Sequence, residues 1–427
     1  MKKLCCGDAG FDAAIEKLFG RPAYPPEAEE AAREIIEAVR RDGDAALVEF
    51  ARRFDRTELT PATFRVTDHE VDEAARSLPR ADRQAIDAAL EQVQSFARLV
   101  KPRARLWSPR PGVRVGEKFT PMDRVGVYIP GGAAPLVSTV IHTAGIAAAA
   151  GVKEIVAATP PGGLHPGTLY AMKRAGVREI YRLGGVYGVA AMALGTETVA
   201  PVEKIAGPGN AYVTAAKKLL YGKVSIDLVA GPSEILVIAD RTADPRFVAA
   251  DLLSQAEHGS GLEQAVLIST DRGLIDRVEA ELLAQKKLLS REKLIDRVLE
   301  NGLFLIWAPD LETAARLANR YAPEHLELQV AEPRRTAKLI RAAGAIFMGP
   351  WTPEPAGDFC AGPSHVLPTA SSARRFNGLS TADFMRRSSM VEYTRNALRR
   401  EAEIIERFGN MERLTAHANA ATIRCKK

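Results

Sequence analysis

The chain has few cysteines, few aromatic residues and no long run of purely apolar residues. Its four cysteines are two neighbours, Cys5 and Cys6, and two distant single residues, Cys360 and Cys425. They form neither a disulfide framework nor the CxxC spacing of a zinc or redox motif. No apolar stretch reaches the roughly 18 residues of a transmembrane helix, and the first residues lack the apolar segment of a signal peptide. We therefore expect a cytoplasmic protein without a membrane partner.

Charge of one sign is not concentrated anywhere in the chain. The 58 Lys and Arg residues exceed the 53 Asp and Glu residues only slightly, and no basic stripe is interleaved with aromatic residues. This distribution argues against a nucleic-acid partner. A hydrophobic fraction of 46% and a charged fraction of 26% are typical of globular proteins. At about 150 residues per domain, the length predicts about two to four domains.

Helical periodicity gives way to an alternation of strands and helices along the chain. Residues 26–103 carry apolar stripes at helical spacing, interrupted by Pro61, Pro79 and Pro102. From residue 113 onward, short apolar runs alternate with helical stretches, which predicts parallel sheets covered by helices. The fold class is therefore α/β, with two Rossmann-like parallel-sheet units, a helical N-terminal segment and a small C-terminal satellite.

The pattern divides the chain into four parts. We predict an N-terminal helical segment that packs on the second α/β unit, a first α/β unit, a second α/β unit with the polar motifs, and a C-terminal satellite. Their respective bounds are 1–112, 113–229, 230–376 and 377–427.

Glycine turns follow three predicted strands of the first α/β unit. They are Gly131-Gly132, Gly184-Gly185, and Gly207 with Gly209. None has the GxGxxG spacing, and any one of them alone is commonly just a turn. Together they favour a phosphate or dinucleotide site, because backbone N–H groups and helix N-termini face anions at the carboxyl ends of parallel strands.

Gln255 and His258 stand three residues apart in a predicted helix, residues 249–258, which Gly259 would end. On a helix they share a face, and an oxygen and a nitrogen donor on one face are half of a zinc site. The alternative is a solvated helix end, which is the commoner origin of such a pair.

Two further polar motifs follow. Glu324 and His325 stand at the entry of a strand, where their side chains are expected on opposite sides. An adjacent acid and imidazole can serve two different proton transfers, and a charge pair at a strand edge is the alternative. The stretch 350–376 reads as a long loop carrying Asp358 and His365, and long loops in compact proteins are often functional. His417 lies in a terminal helix, where a histidine usually serves packing.

These motifs together resemble the histidinol dehydrogenase family. The resemblance runs from about residue 30 to the C-terminus. The motifs that carry it are residues 125–132, 207–210, 230–234, 253–258, 322–326, 357–358 with 365–369, and 412–417.

The resemblance implies a role for each matching residue. One Zn²⁺ per chain would be held by Gln255, His258, Asp358 and His417. The substrate would contact these four residues together with Ser233, His325, His365 and Glu412. Tyr128 and Asn210 would contact NAD. Glu324 and His325 would be the catalytic residues.

The resemblance also implies a reaction, which is the four-electron oxidation of L-histidinol to L-histidine through bound histidinal. His325 would take protons in both hydride transfers, and Glu324 would activate water between them. The family pairs into homodimers in which the C-terminal satellite completes the partner's active site.

The chain departs from the family pattern at two places on the cofactor side. Tyr187 replaces a glutamine that contacts NAD in the family, and residues 142–146 differ in the helix predicted after Gly132. A paralogue that oxidises another small primary alcohol therefore stays open. A non-catalytic protein that binds metal and ligand is a second alternative.

Overall fold

Most of the predicted alternation of strands and helices is present in a computed structural model, which describes residues 1–131, 135–258 and 260–426. The strands are β1 (Lys2–Cys5), β2 (Arg105–Arg110), β3 (Val113–Pro121), β4 (Arg124–Tyr128), β5 (Glu154–Ala158), β6 (Glu179–Tyr181), β7 (Lys204–Ala206), β8 (Ser225–Ile226), β9 (Glu234–Ala239), β10 (Gln264–Ser269), β11 (Leu303–Trp307), β12 (His325–Gln329), β13 (Ala345–Met348) and β14 (Met385–Tyr393).

The helices fill the intervals between these strands. They are α1 (Phe11–Phe19), α2 (Pro26–Asp42), α3 (Asp44–Asp55), α4 (Asp68–Ser77), α5 (Arg80–Leu99), α6 (Val137–Val140), α7 (Ile146–Ala150), α8 (Pro166–Arg174), α9 (Gly185–Leu194), α10 (Ala211–Leu220), α11 (Pro245–Ala256), α12 (Arg272–Gln285), α13 (Glu292–Asn301), α14 (Leu311–Tyr321), α15 (Pro333–Ala337), α16 (Glu354–Phe359), α17 (Arg395–Met411) and α18 (Thr415–Cys425). A π-helical turn, Ile141–Gly145, joins α6 to α7. No helix in these described ranges is long and apolar enough to cross a membrane.

The first parallel sheet has the strand order β6-β5-β4-β7-β8. Strand order reverses between β4 and β7, and ligands of such sheets bind at the carboxyl edge beside this point. The glycine turns at Gly184 and Gly207 follow β6 and β7 at that edge, as predicted. The third predicted glycine turn follows β4. Its first residue, Gly131, is described, whereas Gly132 lies outside the described residues.

The second parallel sheet has the order β1-β11-β10-β9-β12-β13. Helices cover both of its faces, and β9 and β12 are buried along their whole length. In β9, Ile235 and Val237 face the core formed with α11 to α13, while Leu236 and Ile238 face the core formed with α14. A sheet buried on both faces explains why β9 is continuously apolar rather than alternating. Both predicted parallel-sheet units are therefore present.

The helices of the N-terminal segment pack on the first α/β unit, which corrects our expectation that they pack on the second. Ile36 of α2 and Leu47 of α3 share one core with Val189 of α9 and Ala215 of α10. Strand β1 and helix α1 join the second unit instead, where β1 pairs with β11. The sequence shows the apolar stripe of a helix, but it does not show which surface receives that stripe.

The chain divides into two compact units, of which the larger comprises Met1–Leu99 with Asp123–Phe384 and holds both parallel sheets. The smaller comprises Val100–Met122 with Met385–Lys427. It contains an antiparallel sheet in the order β14-β3-β2, followed by α17 and α18. The structure thus differs from the predicted bounds, because β3 does not begin the first parallel sheet. It pairs with β14 along its whole length, from Val113 opposite Tyr393 to Pro121 opposite Met385.

Candidate active site

A cavity of about 180 Å³ lies between the two parallel sheets of the larger unit. Pro208 and Gly209, from the turn at the carboxyl edge of the first sheet, line one side. Ser233 and Glu324, which precede β9 and β12, line the other, together with His365. The carboxyl edge of the first sheet therefore faces the amino edge of the second across a space suited to a small ligand.

Glu324 and His325 converge on the main chain of Glu234. The Glu324 Oε2 atom accepts a hydrogen bond of 2.8 Å from the Glu234 N–H group. His325 Nδ1 lies 3.0 Å from the Glu234 carbonyl oxygen, which can only accept, so Nδ1 carries a proton. The two side chains were expected on opposite sides, yet Glu324 Oε2 and His325 Nδ1 are only 3.7 Å apart. Glu324 precedes the strand, so the alternation of a strand does not govern it.

Two carboxylates face the other ring nitrogen of His325. His325 Nε2 lies 3.6 Å from Asp358 Oδ1 and 3.7 Å from Glu354 Oε1. Both acids belong to the short helix α16, within the stretch predicted as a loop. Being four residues apart, they share one helix face. Together with His325 they form a cluster of side chains able to hold a metal ion.

Glu354 is the residue of this site that the sequence analysis missed. It is almost fully buried, and its Oε2 atom accepts a hydrogen bond of 3.0 Å from the Ser254 hydroxyl. The sequence does indicate the helix that carries Glu354. Pro353 precedes a Glu–Asp pair at helical spacing, and proline favours the first turn of a helix. Reading residues 350–376 as loop hid that pair.

Two further buried acids, Glu327 and Asp251, lie near Glu354. The Glu354 N–H group donates to Glu327 Oε1 at 2.8 Å, and Glu327 lies against Asp251 of α11. Burial raises the pKa of Glu327 well above its usual range, with Asp251 adding to the effect. Burial likewise raises the pKa of Glu354 to about 7 and that of Asp251 to about 6. Like charges this close in a dry interior favour retention of protons.

The catalytic candidates have strongly shifted proton affinities. Burial raises the pKa of Glu324 to about 8, although His325 opposes this shift. Burial alone would lower the pKa of His325, but Glu324, Asp358 and Glu354 outweigh it and raise that pKa to about 10. Burial alone would raise the pKa of Asp358, but His325 and His365 hold it well below its usual range. Shifts of this size mark candidate functional sites.

The predicted helical pair Gln255 and His258 is only partly helical. Helix α11 ends at Ala256, so His258 lies beyond it, and the predicted stop Gly259 is outside the described residues. His258 is exposed. Gln255 is fully buried, and it follows Ser254, which bonds Glu354.

Several buried polar atoms of this region lack a hydrogen-bond partner among the described residues. They are both amide atoms of Gln255, His325 Nε2, Glu354 Oε1 and His365 Nε2. Buried polar atoms are normally paired, so a group of unpaired ones indicates the position of a ligand or an ion. The oxygen and nitrogen donors in this group suit zinc.

His365 is fixed from two sides. Its Nδ1 atom lies 3.2 Å from the Asp358 carbonyl oxygen, and its ring stacks on that of His142 with 4.4 Å between the ring centroids. His142 is completely buried in the π-helical turn between α6 and α7. Burial lowers the pKa of His142 to about 3, and His365 adds to this shift. The lowered pKa keeps the His142 ring uncharged where it stacks on His365.

The predicted cofactor residues lie at the carboxyl edge of the first sheet. Tyr128 is buried, and its hydroxyl accepts a hydrogen bond of 2.9 Å from the Gly185 N–H group. Asn210 is exposed and caps α10 by accepting from the Val213 N–H group at 3.0 Å. Tyr187 is buried, and its hydroxyl donates to Asp55 at the end of α3.

Glu412 and His417 belong to the smaller compact unit. Glu412 directly follows α17, His417 lies in α18, and both are exposed. The cluster around His325 is built from the larger unit alone. Of the four predicted zinc ligands, that unit supplies Gln255, His258 and Asp358.

Comparison with known proteins gives consistent matches. A sequence model of the histidinol dehydrogenase family matches residues 22–425. A histidinol dehydrogenase of Geobacter metallireducens is 45% identical over 430 residues, which is 100% of this chain and 98% of the relative. One of Synechococcus is 44% identical over 399 residues, covering 93% and 92%. The crystal structure of histidinol dehydrogenase from Elizabethkingia anophelis matches with a TM-score of 0.94 at 34% identity, covering 99% and 98%.

Proposed function

Because the chain belongs to the histidinol dehydrogenase family and is therefore an oxidoreductase, we propose that it oxidises L-histidinol to L-histidine in two successive steps. This would be the last reaction of histidine biosynthesis. NAD would accept both hydrides, and one zinc ion per chain would bind beside the substrate.

The placement of Glu324 and His325 is the observation that carries this proposal. Glu324 lines one wall of the cavity, His325 lies 3.7 Å from its carboxylate, and both side chains contact the main chain of Glu234. The turn at Pro208 and Gly209 forms the opposite wall, at the edge where a parallel sheet binds nucleotides. Proton acceptors and a nucleotide edge on one small cavity suit an alcohol oxidation by hydride transfer.

The chemistry divides between the two acceptors. In its neutral form, with the proton on Nδ1, His325 would take the alcohol proton at Nε2 while a hydride leaves the same carbon for NAD. Glu324, in its ionised form, would then take a proton from water as the water adds to the bound aldehyde. His325 would accept a proton from the resulting diol while the second hydride leaves. One alcohol, one water and two NAD thus give one carboxylate, two NADH and three protons.

The residues present suit zinc. We propose Gln255, His258, Asp358 and His417 as its ligands, a set of amide, imidazole and carboxylate donors. The buried amide of Gln255 without a partner supports this choice, since an amide oxygen there needs a positive or donor group. Zinc, when bound, would hold the imidazole and amine of the substrate. Ser233, His365 and Glu412 would contact the substrate as well.

For NAD we propose Tyr128 and Asn210 as contacts. The exposed Asn210 at the N-terminus of α10 supports its part, because helix N-termini favour phosphate groups. Tyr128 would act by holding the turn at Gly185, with which its hydroxyl is bonded.

We further propose a homodimer with shared active sites. Glu412 and His417 lie in a compact unit that contains little more than one small sheet and two helices. A unit this small buries little surface by itself and needs a larger partner. A twofold dimer is the commonest assembly, and a partner's His417 would then complete the zinc set.

The test is the yield of NADH from L-histidinol by the purified protein. We expect about two NADH per histidinol, since each hydride transfer reduces one NAD. Histidine should be the product identified by mass spectrometry, and metal analysis should find zinc at one ion per chain. Chelation should remove both the zinc and the turnover.

Other results would favour the alternatives. Turnover of a different primary alcohol, without turnover of histidinol, would identify a paralogue. Absence of NADH with every alcohol, in protein that retains zinc, would indicate a binding protein.

A further inference from the structure

Glu234 contacts both catalytic candidates through its main chain alone. Its N–H group donates to Glu324, and its carbonyl oxygen accepts from His325 Nδ1. The second contact fixes which ring nitrogen carries the proton, so that Nε2 is left to act as the base. A rotation of this one peptide segment would therefore disturb both proton acceptors at once.

The side chain of Glu234 is anchored away from the cavity. Arg21 binds its carboxylate with two N–H groups, one of them Nη2 at 2.7 Å from Oε2. The Ala370 N–H group donates to Oε1 at 2.9 Å. The Glu234 side chain is 3% exposed and that of Arg21 10%, so this is a buried, two-pronged ion pair. Such pairs fix geometry as well as charge.

Arg21 is itself held against the segment that leads to Glu324. Its guanidinium lies over the ring of Tyr321, 3.7 Å from the ring centre. Its Nη1 atom lies 3.3 Å from the Ser371 hydroxyl, which donates to the Tyr321 carbonyl oxygen at 2.8 Å. Tyr321 ends α14, three residues before Glu324. Arg21 thus joins the start of β9 to the connection between α14 and β12.

From these contacts we propose that Arg21 and Glu234 are positioning residues for the reaction. Resting on the function proposed above, the Arg21–Glu234 pair fixes the peptide of Glu234, and that peptide fixes the carboxylate of Glu324 and the tautomer of His325. Neither residue is among the described residues that line the cavity, so the pair acts through the catalytic residues and not on the substrate.

The experiment replaces Arg21 with methionine, which keeps the unbranched aliphatic part of the side chain and removes the charged guanidinium. We expect kcat for both histidinol and histidinal oxidation to fall about 100-fold, since small misplacements of catalytic groups cost that much. KM for histidinol and the zinc content should stay within about twofold, because substrate and metal contacts are not touched. Arg21→Lys keeps one charged contact, so its kcat should be about tenfold higher than that of Arg21→Met.

The matched control is Arg124→Met in the first α/β unit. Arg124 is similarly buried and binds Glu179 and Glu154 through its guanidinium. Its loss should lower the free energy of unfolding about as much as that of Arg21, but leave kcat within about twofold. A normal kcat in folded Arg21→Met, or an equal loss of kcat in Arg124→Met, would overturn the positioning role. Should Arg21→Met fail to fold, Arg21→Lys decides in the same way: a normal kcat in that variant overturns the proposal.

His325→Gln, measured alongside, separates this proposal from the one on which it rests. If His325→Gln loses turnover while Arg21→Met turns over normally, the role of His325 as the base is supported and the positioning role of the Arg21–Glu234 pair is refuted. If His325→Gln retains turnover, His325 is not the base, and the positioning role of the Arg21–Glu234 pair is refuted as well.

Discussion

At the residue scale, the most unusual side chain outside the proton-transfer pair is His142. It is completely buried, and its ring stacks on that of His365. A neutral imidazole adds no net charge to this dry interior. A protonated one would bring a charge into a dry interior.

This difference predicts a pH dependence of stability. The unfolded chain protonates His142 near its usual pKa of 6.5, whereas burial lowers the pKa in the folded chain to about 3. Between these values the unfolded state binds more protons, so folded stability falls as the pH is lowered from about 6.5. Between pH 7 and pH 5, the free energy of unfolding should fall by about 2 kcal/mol less in His142→Leu than in the wild type. Urea unfolding at both pH values, with chelator present, measures it.

The control is His69→Leu on α4. His69 is exposed, so water solvates its ring in the folded and unfolded chain alike. This variant should keep the pH dependence of the wild type. An unchanged pH dependence in His142→Leu would contradict the prediction.

At the scale of elements, the turn after β7 depends on glycine. Gly207 has φ +122°, and a Cβ atom there would lie 2.2 Å from the Tyr128 carbonyl oxygen at the end of β4. The Asp227 carboxylate accepts a hydrogen bond of 2.7 Å from the Gly207 N–H group, and Lys217 donates one of 2.8 Å to the Gly207 carbonyl oxygen. Lys217 and Asp227 also form a fully buried ion pair. The turn is therefore held rigidly, with no room for a side chain.

We predict that Gly207→Ala lowers the free energy of unfolding by about 3 kcal/mol or more, since it adds a main-chain clash to left-handed strain. KM for NAD should rise in the same variant, because the displaced turn lines the proposed cofactor side. Gly222→Ala is the control, with φ +98° and open space around the added Cβ atom. It should cost about 1–2 kcal/mol from backbone strain alone. Equal losses in the two variants would show that the turn can move.

At the scale of the whole molecule, the proposed zinc set draws on both compact units. Gln255, His258 and Asp358 belong to the larger unit, and His417 to the smaller one. If each site takes His417 from the partner chain, two defective chains can complement each other.

We predict that His258→Ala and His417→Ala variants, inactive alone, regain activity when mixed under conditions of subunit exchange. Random exchange makes half of the dimers mixed, and each mixed dimer holds one intact site of two, which gives about a quarter of wild-type activity. Steady-state turnover before and after exchange measures it, with exchange followed by a mass tag on one variant. No recovery despite proven exchange would mean that each chain builds its own site.

The sequence by itself determined the alternation of strands and helices, the two parallel-sheet units and the motifs around Gln255, Glu324, Asp358 and His365. These follow from local periodicity and from the donor chemistry of neighbouring residues, which act over a few positions. The bounds of short elements were less secure: α11 ends before His258, and α16 stands where a loop was predicted. Capping and the packing of neighbouring helices decide such ends.

Only the tertiary structure decided which edges and faces meet. The carboxyl edge is the usual binding edge of a parallel sheet, yet Glu324 and Ser233 lie at the amino edge of the second sheet, where it faces the turn at Gly209. Helices α2 to α5 pack on the first unit, and β3 pairs with β14 more than 260 residues away. Local patterns show that a face is apolar or an edge is unpaired. Which partner it takes depends on the complementary surface of distant segments, brought near only when the chain folds.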